Sequence, residues 1–309
     1  MRYAMIGTGA MGGAVGTLLA RAGEDVTFVD TDREVVLHAS QNGFLLEGAA
    51  GQHRVSVRIS AEPQGEGWAD VAVVLTTTND TAEAALTAKR IIKPDGFALT
   101  LQNGIGNVEV LEEALGKGRV AAGSTRSSAQ RLAPGESELT KLDPTRIGEV
   151  DGTISPRIQA LADVMDRAGF ETSATENVMG VLWSKLIHNS AINPICASTG
   201  LVQSETAKIP ELEALRTMIV EEGLIIAQAE GITLEYPDPL PALRLHVAAK
   251  NTRPSMLQHI DARRRTEIDA INGALVRIAG RHGLQATANA AMVAVIKGME
   301  RAEAIAREA

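Results

Sequence analysis

Three polar side chains recur at helical spacing in an otherwise apolar stretch of the chain: Lys185, Asn189 and Asn193. The spacing i, i+4, i+8 places them on one face of a helix. A polar stripe in a buried helix is unfavourable unless another group pairs with it. A buried lysine can act as a general acid or base, and asparagine amides bind hydroxyl and carbonyl groups without adding charge. The stripe therefore indicates a site for acid–base chemistry or, alternatively, the solvated face of an amphipathic helix.

A second polar cluster follows about seventy residues later, and it contains Ser255 and Glu267. Ser255 is a candidate for binding a carboxylate. Glu267 is able to pair with a buried lysine, but the i, i+4 spacing to Arg263 by itself favours a surface ion pair between those two. His188 lies one helical turn from Lys185 and is a rival proton donor. The histidines do not show the spacing of metal ligands, so we predict no metal site.

The chain begins with a strand, a glycine-rich turn, an apolar helix and a second strand. The turn reads Gly7-Thr8-Gly9-Ala10-Met11-Gly12. In this context Gly7 permits the tight turn, Gly9 lets the backbone approach a pyrophosphate, and Gly12 lets the helix lie close to the strand. The helix N-terminus, with Ala10 and Met11, offers N–H groups to the phosphates. The pattern predicts a dinucleotide-binding site.

The second strand ends at Asp30, about 20 residues beyond the glycines, where a carboxylate binds a ribose diol. A 2′-phosphate at that place would be repelled, and neither Thr31 nor Asp32 supplies a positive charge. These residues favour NAD(H) over NADP(H). The alternative is that Asp30 caps the next helix, a role that Thr31 or Asp32 would fill equally well.

The first half of the chain alternates strands with helices, which predicts an α/β domain with a parallel, doubly wound Rossmann-type sheet over residues 1–173. Residues 70–75 and 97–101 are the expected central strands. Residues 138–149 are expected at the sheet edge, and residues 170–172 form the last predicted strand. A ligand crevice is the default expectation beyond the carboxyl ends of such strands, next to the following domain.

The second half loses its strand patterns, and an all-helical C-terminal domain is predicted for residues 174–309. Its helical periodicities cover 177–198, 212–230, 239–250, 263–282 and 287–307.

Bulk composition narrows the class of protein. The 309 residues carry a net charge of −8, which argues against nucleic-acid and anionic-membrane partners. A single cysteine, Cys196, precludes an internal disulfide, and a small buried residue is its simplest interpretation. No secretory leader or membrane-spanning apolar run is found, so we expect a cytoplasmic protein.

Taken together, these motifs resemble the ketopantoate reductase (2-dehydropantoate 2-reductase) family over essentially the whole chain. The matching segments, in order along the chain, are 7–12, 102–106, 133–135 with 148–149, 185–193, 255–258 and 264–273.

The resemblance implies that Lys185 is the general acid that protonates the carbonyl oxygen as hydride arrives from a nicotinamide. It implies that Glu267 orients the lysine and bonds to the substrate. Asn189 and Asn193 would position the substrate hydroxyl and carbonyl groups. Protonation by a positioned lysine agrees with the chemistry, since carbonyl reduction develops alkoxide charge.

Two further roles follow from the resemblance: Ser255 holds the substrate carboxylate, and Asn103 links the cofactor ribose to the substrate. The implied partner is a small-molecule 2-oxo acid, with ketopantoate the leading candidate and pantothenate biosynthesis the implied setting. A homodimer is left open.

The sequence departs from the family pattern at two places. Thr31 stands where the family usually has a basic residue for the 2′-phosphate of NADP(H), and Thr77 stands where it usually has a lysine. These residues favour NAD(H), with NADP(H) as the family-typical alternative. They also leave room for an NAD-dependent 2-hydroxyacid dehydrogenase with a different substrate. A non-catalytic nucleotide sensor is a third alternative, but it predicts loss of the Lys185 and Glu267 pair, which the sequence retains.

Overall fold

The computed structural model describes residues 1–308, so Ala309, the last residue of the predicted helical domain, lies outside the described residues. The chain forms two compact units. The first comprises Met1–Gln102 and Asn107–Val178, and the second comprises Asn103–Gly106 and Met179–Ala309.

The first unit is built on an eight-stranded sheet. Its strands are β1 (Arg2–Ile6), β2 (Asp25–Val29), β5 (Arg58–Ser60), β6 (Ala69–Val74), β7 (Ile92–Thr100), β8 (Val120–Thr125), β11 (Thr145–Glu149) and β12 (Thr172–Ala174). They lie in the order β12-β11-β8-β7-β6-β1-β2-β5. All neighbouring strands pair in parallel except β8 and β11, which are antiparallel. The helices are α1 (Ala10–Arg21), α2 (Arg33–Asn42), α3 (Thr81–Ile91), α4 (Asn107–Leu115) and α5 (Pro156–Arg167).

A smaller sheet has four strands: β3 (Phe44–Gly48), β4 (His53–Val55), β9 (Ser128–Ala133) and β10 (Glu136–Lys141). They lie in the order β4-β3-β10-β9. Here β3 and β10 pair in parallel, and the outer pairs are antiparallel. Phe44 of this sheet stacks on Phe28 of β2, with ring centroids 5.6 Å apart. The small sheet therefore shares one hydrophobic core with the main sheet.

The predicted α/β class is confirmed, because continuous apolar runs form the central strands. Residues 71–74 are fully buried, as expected for a parallel strand covered on both faces. The prediction for residues 138–149 was incorrect in its placement. β10 belongs to the small sheet, and β11 lies inside the main sheet with β12 outside it. The last strand begins at Thr172 rather than ending there.

The second unit is helical, as predicted. Its helices are α6 (Val178–Thr199), α7 (Gln203–Thr206), α8 (Pro210–Ala229), α9 (Leu240–Ala249), α10 (Ser255–Asp261), α11 (Asn272–Arg281) and α12 (Thr287–Glu308). The apolar residues of α6 lie at the centre of its core, with Trp183, Leu186 and Ile195 almost fully buried.

The predicted helix over 263–282 was wrong for its first part. α10 ends at Asp261, and Arg263 adopts a φ of 52°, which interrupts the helical path. Residues 262–271 form a turn-rich loop, and α11 begins only at Asn272. Ile268 and Ile271 are buried, as the helical pattern predicts, but they belong to this loop and not to a helix.

Candidate active site

The glycine turn between β1 and α1 is sterically exacting at two positions and open at the third. Gly7 has a φ of 87°, and a Cβ there would lie 2.6 Å from the backbone nitrogen of Thr76. A Cβ on Gly12 would lie 1.9 Å from the Gly7 carbonyl oxygen. A Cβ on Gly9 would meet no atom within 4 Å. Packing therefore accounts for Gly7 and Gly12, whereas Gly9 faces open space that a ligand could use.

The first turn of α1 suits an anion. Gly9 is the N-cap residue, so no side chain caps this end, and the first turn contains no acidic residue. The N–H groups of this turn, which include those of Ala10 and Met11, point out of the helix end with the positive pole of its dipole. The turn therefore has the donor set that a pyrophosphate requires.

Asp30 lies at the end of β2 and contacts the same turn. Its Oδ2 accepts hydrogen bonds from the backbone nitrogen of Thr8 at 2.7 Å and from the Thr8 hydroxyl at 2.6 Å. Its Oδ1 accepts from the backbone of Asp32 at 2.9 Å. The alternative role as helix cap belongs to Asp32, whose side chain accepts from Glu34 and Val35. The carboxylate of Asp30 is thus held beside the glycine turn.

Gln102, a residue for which the sequence predicts no positioning role, supports the loop that contains Thr77. Its amide nitrogen lies 3.1 Å from the Thr76 carbonyl oxygen and 2.9 Å from the Thr81 hydroxyl. The Thr77 hydroxyl itself donates to Asp80 at 2.7 Å. Gln102 is buried, so these bonds fix the carboxyl end of β6. In the sequence, the signal for such a supporting role is a polar residue that directly follows a buried strand.

In the second unit, Lys185 of α6 interacts with the carboxylate of Glu267. Burial lowers the pKa of the Lys185 ammonium to about 8, and the negative charge of Glu267 acts in the opposite direction. The side chain nevertheless keeps some solvent exposure, as a group that meets a substrate must. Such a lysine loses its proton far more readily than one in water.

The loop that replaces the predicted helix holds Glu267 in place. The backbone nitrogens of Ala270 and Ile271 both donate to the Glu267 carbonyl at 3.1 Å. Asn103 donates from Nδ2 to Glu267 Oε2 at 3.3 Å, and Ile105 donates to the Ala270 carbonyl at 3.0 Å. Glu267 is only 7% exposed, so its carboxylate can interact with only a few neighbouring groups.

The structure therefore brings together Asn103, Lys185 and Glu267, three residues far apart in sequence. The predicted stripe is continuous, since Asn189 and Asn193 lie on the same α6 helix at the predicted spacing. Asn193 is buried, and Asn189 is half-buried. Ser255 is the first residue of α10, and among the described residues its side chain forms no hydrogen bond to this set.

The remaining candidates have other partners. Arg263 forms its ion pair with Glu303 at 3.5 Å rather than with Glu267, because the intervening helix does not exist. His188 packs edge-on against His246, with ring centroids 4.8 Å apart. Cys196 is fully buried, and burial raises the pKa of its thiol to about 11.

His259, near the end of α10, is a titratable neighbour of this loop. Burial and the nearby charge of Arg264 lower the pKa of His259, while Glu267 acts in the opposite direction. Within residues 1–308, no three metal-ligating side chains come together. Of the helices in this part of the chain, none has both the length and the apolar character of a membrane span.

Comparison with known proteins identifies relatives of both halves. Residues 3–152 match the family described as "Ketopantoate reductase PanE/ApbA", and residues 177–300 match its C-terminal counterpart. The 2-dehydropantoate 2-reductase of Pyrococcus horikoshii is 33% identical over 300 residues, covering 97% of this chain and 98% of its own. The corresponding enzyme of Archaeoglobus fulgidus is 29% identical, with the same coverage.

Two solved structures share the fold over nearly the full length. A ketopantoate reductase from Ralstonia eutropha superposes with a TM-score of 0.90 at 29% identity, covering 98% of this chain and 99% of that one. D-mandelate dehydrogenase in complex with NADH and anilino(oxo)acetate also has a TM-score of 0.90, with the same coverage, and at 23% identity it shows the fold alone. The motifs, the fold and the full-length relatives agree, and the chain belongs to the ketopantoate reductase family of nicotinamide-dependent oxidoreductases.

Proposed function

We propose that the protein reduces the carbonyl group of a 2-oxo acid to a 2-hydroxy acid, with Lys185 as the general acid and ketopantoate as the leading substrate. The observation that carries the proposal is the pairing of Lys185 with the buried carboxylate of Glu267, together with a lysine pKa lowered to about 8. A group with this pKa is still protonated at neutral pH and gives up its proton readily.

The reaction adds a hydride to the carbonyl carbon and a proton to the carbonyl oxygen. A bound nicotinamide cofactor supplies the hydride. Lys185 stabilises the negative charge that develops on the oxygen and then transfers its proton there, giving the hydroxyl group. Glu267, fixed by Asn103 at 3.3 Å, keeps the ammonium group oriented.

Substrate contacts are assigned to the amides and the hydroxyl of the second unit. Asn189 and Asn193 present neutral donors and acceptors along the same face of α6 as Lys185. We place the substrate carboxylate at Ser255 and keep Asn103 as a contact for substrate and cofactor ribose. Thr77, a neutral residue where the family usually has lysine, is the reason to include 2-oxo acids other than ketopantoate.

The residues around the glycine turn fit a dinucleotide, and we favour NAD(H). Gly9 faces open space, and the first turn of α1 lacks an acidic residue. Oδ1 of Asp30 accepts one hydrogen bond, from the backbone of Asp32, and still has capacity to accept a ribose hydroxyl, since a carboxylate oxygen can take about two. A 2′-phosphate would meet this negative charge, with the exposed Thr31 beside it. NADP(H) is the alternative, because the family resemblance implies it.

The alternative substrate class is a different 2-oxo acid, and the fold shared with D-mandelate dehydrogenase motivates it. The test is a steady-state panel: ketopantoate, pyruvate and phenylglyoxylate, each assayed with NADH and with NADPH. We expect the highest kcat/KM for ketopantoate with NADH. A clear preference for phenylglyoxylate would transfer the assignment to the dehydrogenase class, and absence of turnover with every 2-oxo acid would contradict the proposal.

The cofactor assignment has its own test in the paired change Asp30→Ser and Thr31→Arg. Removing the carboxylate and adding a guanidinium should move the ratio of kcat/KM for NADH and NADPH towards NADPH by about 100-fold, since each change is worth about 1–2 kcal/mol. The matched control is Arg33→Ala, an exposed residue of α2 that leaves Asp30 intact. A wild-type enzyme that already prefers NADPH would overturn the assignment.

A further inference from the structure

Helix α6 contains a proline at the end of the polar stripe formed by Lys185, Asn189 and Asn193. Pro194 follows Asn193 directly and lies inside the helix. Proline has no backbone N–H, so it cannot donate to the carbonyl four residues earlier, which is that of Ser190. This carbonyl belongs to the turn between Asn189 and Asn193. Ser190 is fully buried, so water does not compensate for the missing bond.

A side chain from another helix supplies the missing donor. Asn272, the first residue of α11, donates from Nδ2 to the Ser190 carbonyl oxygen at 3.1 Å. Asn272 is itself fully buried. Its amide therefore restores one helical hydrogen bond of α6 across more than eighty residues of sequence.

Asn272 is held in turn by a buried polar chain. Its Nδ2 also donates to Asn289 Oδ1 at 3.0 Å, and Asn289 donates from Nδ2 to Glu222 Oε2 at 2.8 Å. Glu222 accepts from the backbone nitrogens of Ala288 and Asn289 at 2.8 and 3.0 Å, next to the start of α12. The chain thus connects α6, α11, α12 and α8.

The use of Asn272 is asymmetric. Both of its bonds are donated by Nδ2, whereas its Oδ1 is buried without a hydrogen-bond partner among the described residues. A buried acceptor without a partner is unfavourable, because it loses its hydrogen bonds to water. A branched apolar side chain such as leucine would not incur this penalty, so the donor function is what the position requires.

We propose that Asn272 is a positioning residue for substrate binding, which fixes the α6 turn between Asn189 and Asn193 by replacing the N–H that Pro194 lacks. This inference rests on the proposed function, because it matters for catalysis only if the two asparagines bind substrate. Asn272 itself touches no reacting group; it acts through the backbone of α6.

The test is the variant Asn272→Leu, which removes the donor and keeps the branched shape and the number of side-chain heavy atoms. We expect KM for ketopantoate to rise about tenfold, since a lost buried hydrogen bond is worth about 1.4 kcal/mol here, with a smaller change in kcat. The dissociation constant of NADH, measured by fluorescence titration, should stay unchanged. The matched control is Ile278→Val, a buried change on the same helix that keeps the polar chain and should leave KM unchanged.

A second change separates positioning from general loss of stability. Pro194→Ala restores a backbone N–H to the Ser190 carbonyl, so Asn272→Leu should raise KM by less than about twofold in that background. Full tenfold loss in both backgrounds would overturn the proposal, as would an unchanged KM with only a lower melting temperature. If Asn272→Leu does not fold, Asn272→Met, which lacks the donors and has a flexible side chain that adapts to the available space, replaces it in both backgrounds.

The variant Lys185→Ala tests the proposed function separately from the positioning role of Asn272. If Lys185→Ala keeps more than about a tenth of the wild-type kcat, the proposed function with Lys185 as the acid fails. If Lys185→Ala loses that activity but Asn272→Leu binds substrate normally, only the inference about Asn272 fails.

Discussion

The glycine turn and the α6 stripe prepare their sites by opposite means. At the turn, Gly7 and Gly12 allow backbone segments to approach more closely than any side chain would permit. On α6, the site consists of polar side chains, Lys185 above all, kept in an apolar helix by partners from distant loops. The first site is therefore damaged by adding an atom, and the second by removing one.

The largest effect is expected from removing the lysine. Lys185→Ala should lower kcat by about 10²–10⁴, the usual contribution of general acid–base catalysis, without changing NADH affinity. Single-turnover measurement of NADH oxidation reports the chemical step directly. Lys208→Ala is the matched control, because this exposed lysine forms its ion pair with Glu205, at 2.7 Å. A Lys185→Ala enzyme that kept more than about a tenth of kcat would contradict the acid assignment.

The glycines test whether the first site is damaged by adding an atom. Gly12→Ala should lower the free energy of unfolding by about 1–3 kcal/mol or more, because the new Cβ meets the Gly7 carbonyl oxygen at 1.9 Å. Gly9→Ala has no such contact, so it should leave unfolding in urea unchanged and weaken NADH binding about tenfold (1.4 kcal/mol) if Gly9 faces the pyrophosphate. Equal losses of stability in both variants would show that Gly9 is also a packing residue.

The pH profile of the reaction tests the protonation of Lys185 and its coupling to Glu267. Because only protonated Lys185 can donate, kcat/KM for reduction should fall as pH rises through the lysine pKa of about 8. Glu267→Gln removes the charge that raises this pKa, so the falling limb should move to lower pH. His259 has a lowered pKa and is neutral in this range, and it adds no titration there. A limb that stays in place in Glu267→Gln would exclude the Lys185 and Glu267 coupling.

The smallest effect is expected at the rival proton donor. His188→Gln should change kcat by less than about twofold, far below the contribution of a general acid, because the ring is engaged with that of His246. Its falling pH limb should match that of the wild type. A loss near 100-fold would transfer the acid role from Lys185 to His188.

The comparison also explains which features the sequence could predict. Backbone sterics act locally. Neighbouring residues were therefore enough to predict the glycine turn from Gly7 to Gly12, the helix that follows it and the carboxylate of Asp30. The buried central strands were equally evident, because a strand covered on both faces must be apolar throughout. The spacing of Lys185, Asn189 and Asn193 was readable for the same reason.

Other features depended on residues distant in sequence. The apolar positions around Ile268 matched a helix, and nothing local announced that Arg263 would turn out of the helical path. The resemblance, rather than spacing, assigned Glu267 to Lys185, since spacing favoured Arg263. The role of Asn272 depends on a proline some eighty residues earlier. Strands β9 and β10 belong to a separate small sheet because β10 pairs with the distant strand β3, and β9 pairs with β10.

The short segment Asn103–Gly106 has a consequence for attempts to divide the molecule. It belongs to the helical unit although it lies in the middle of the first unit's sequence. Ile105 bonds to Ala270, and Gly104 lies so close that a Cβ there would be 2.5 Å from the Ala270 carbonyl oxygen. A gene fragment that starts at Met179 would therefore encode a helical unit without the peptide that braces the Glu267 loop. No single cut yields both units whole, so exchange of one between related proteins has to carry this tetrapeptide along.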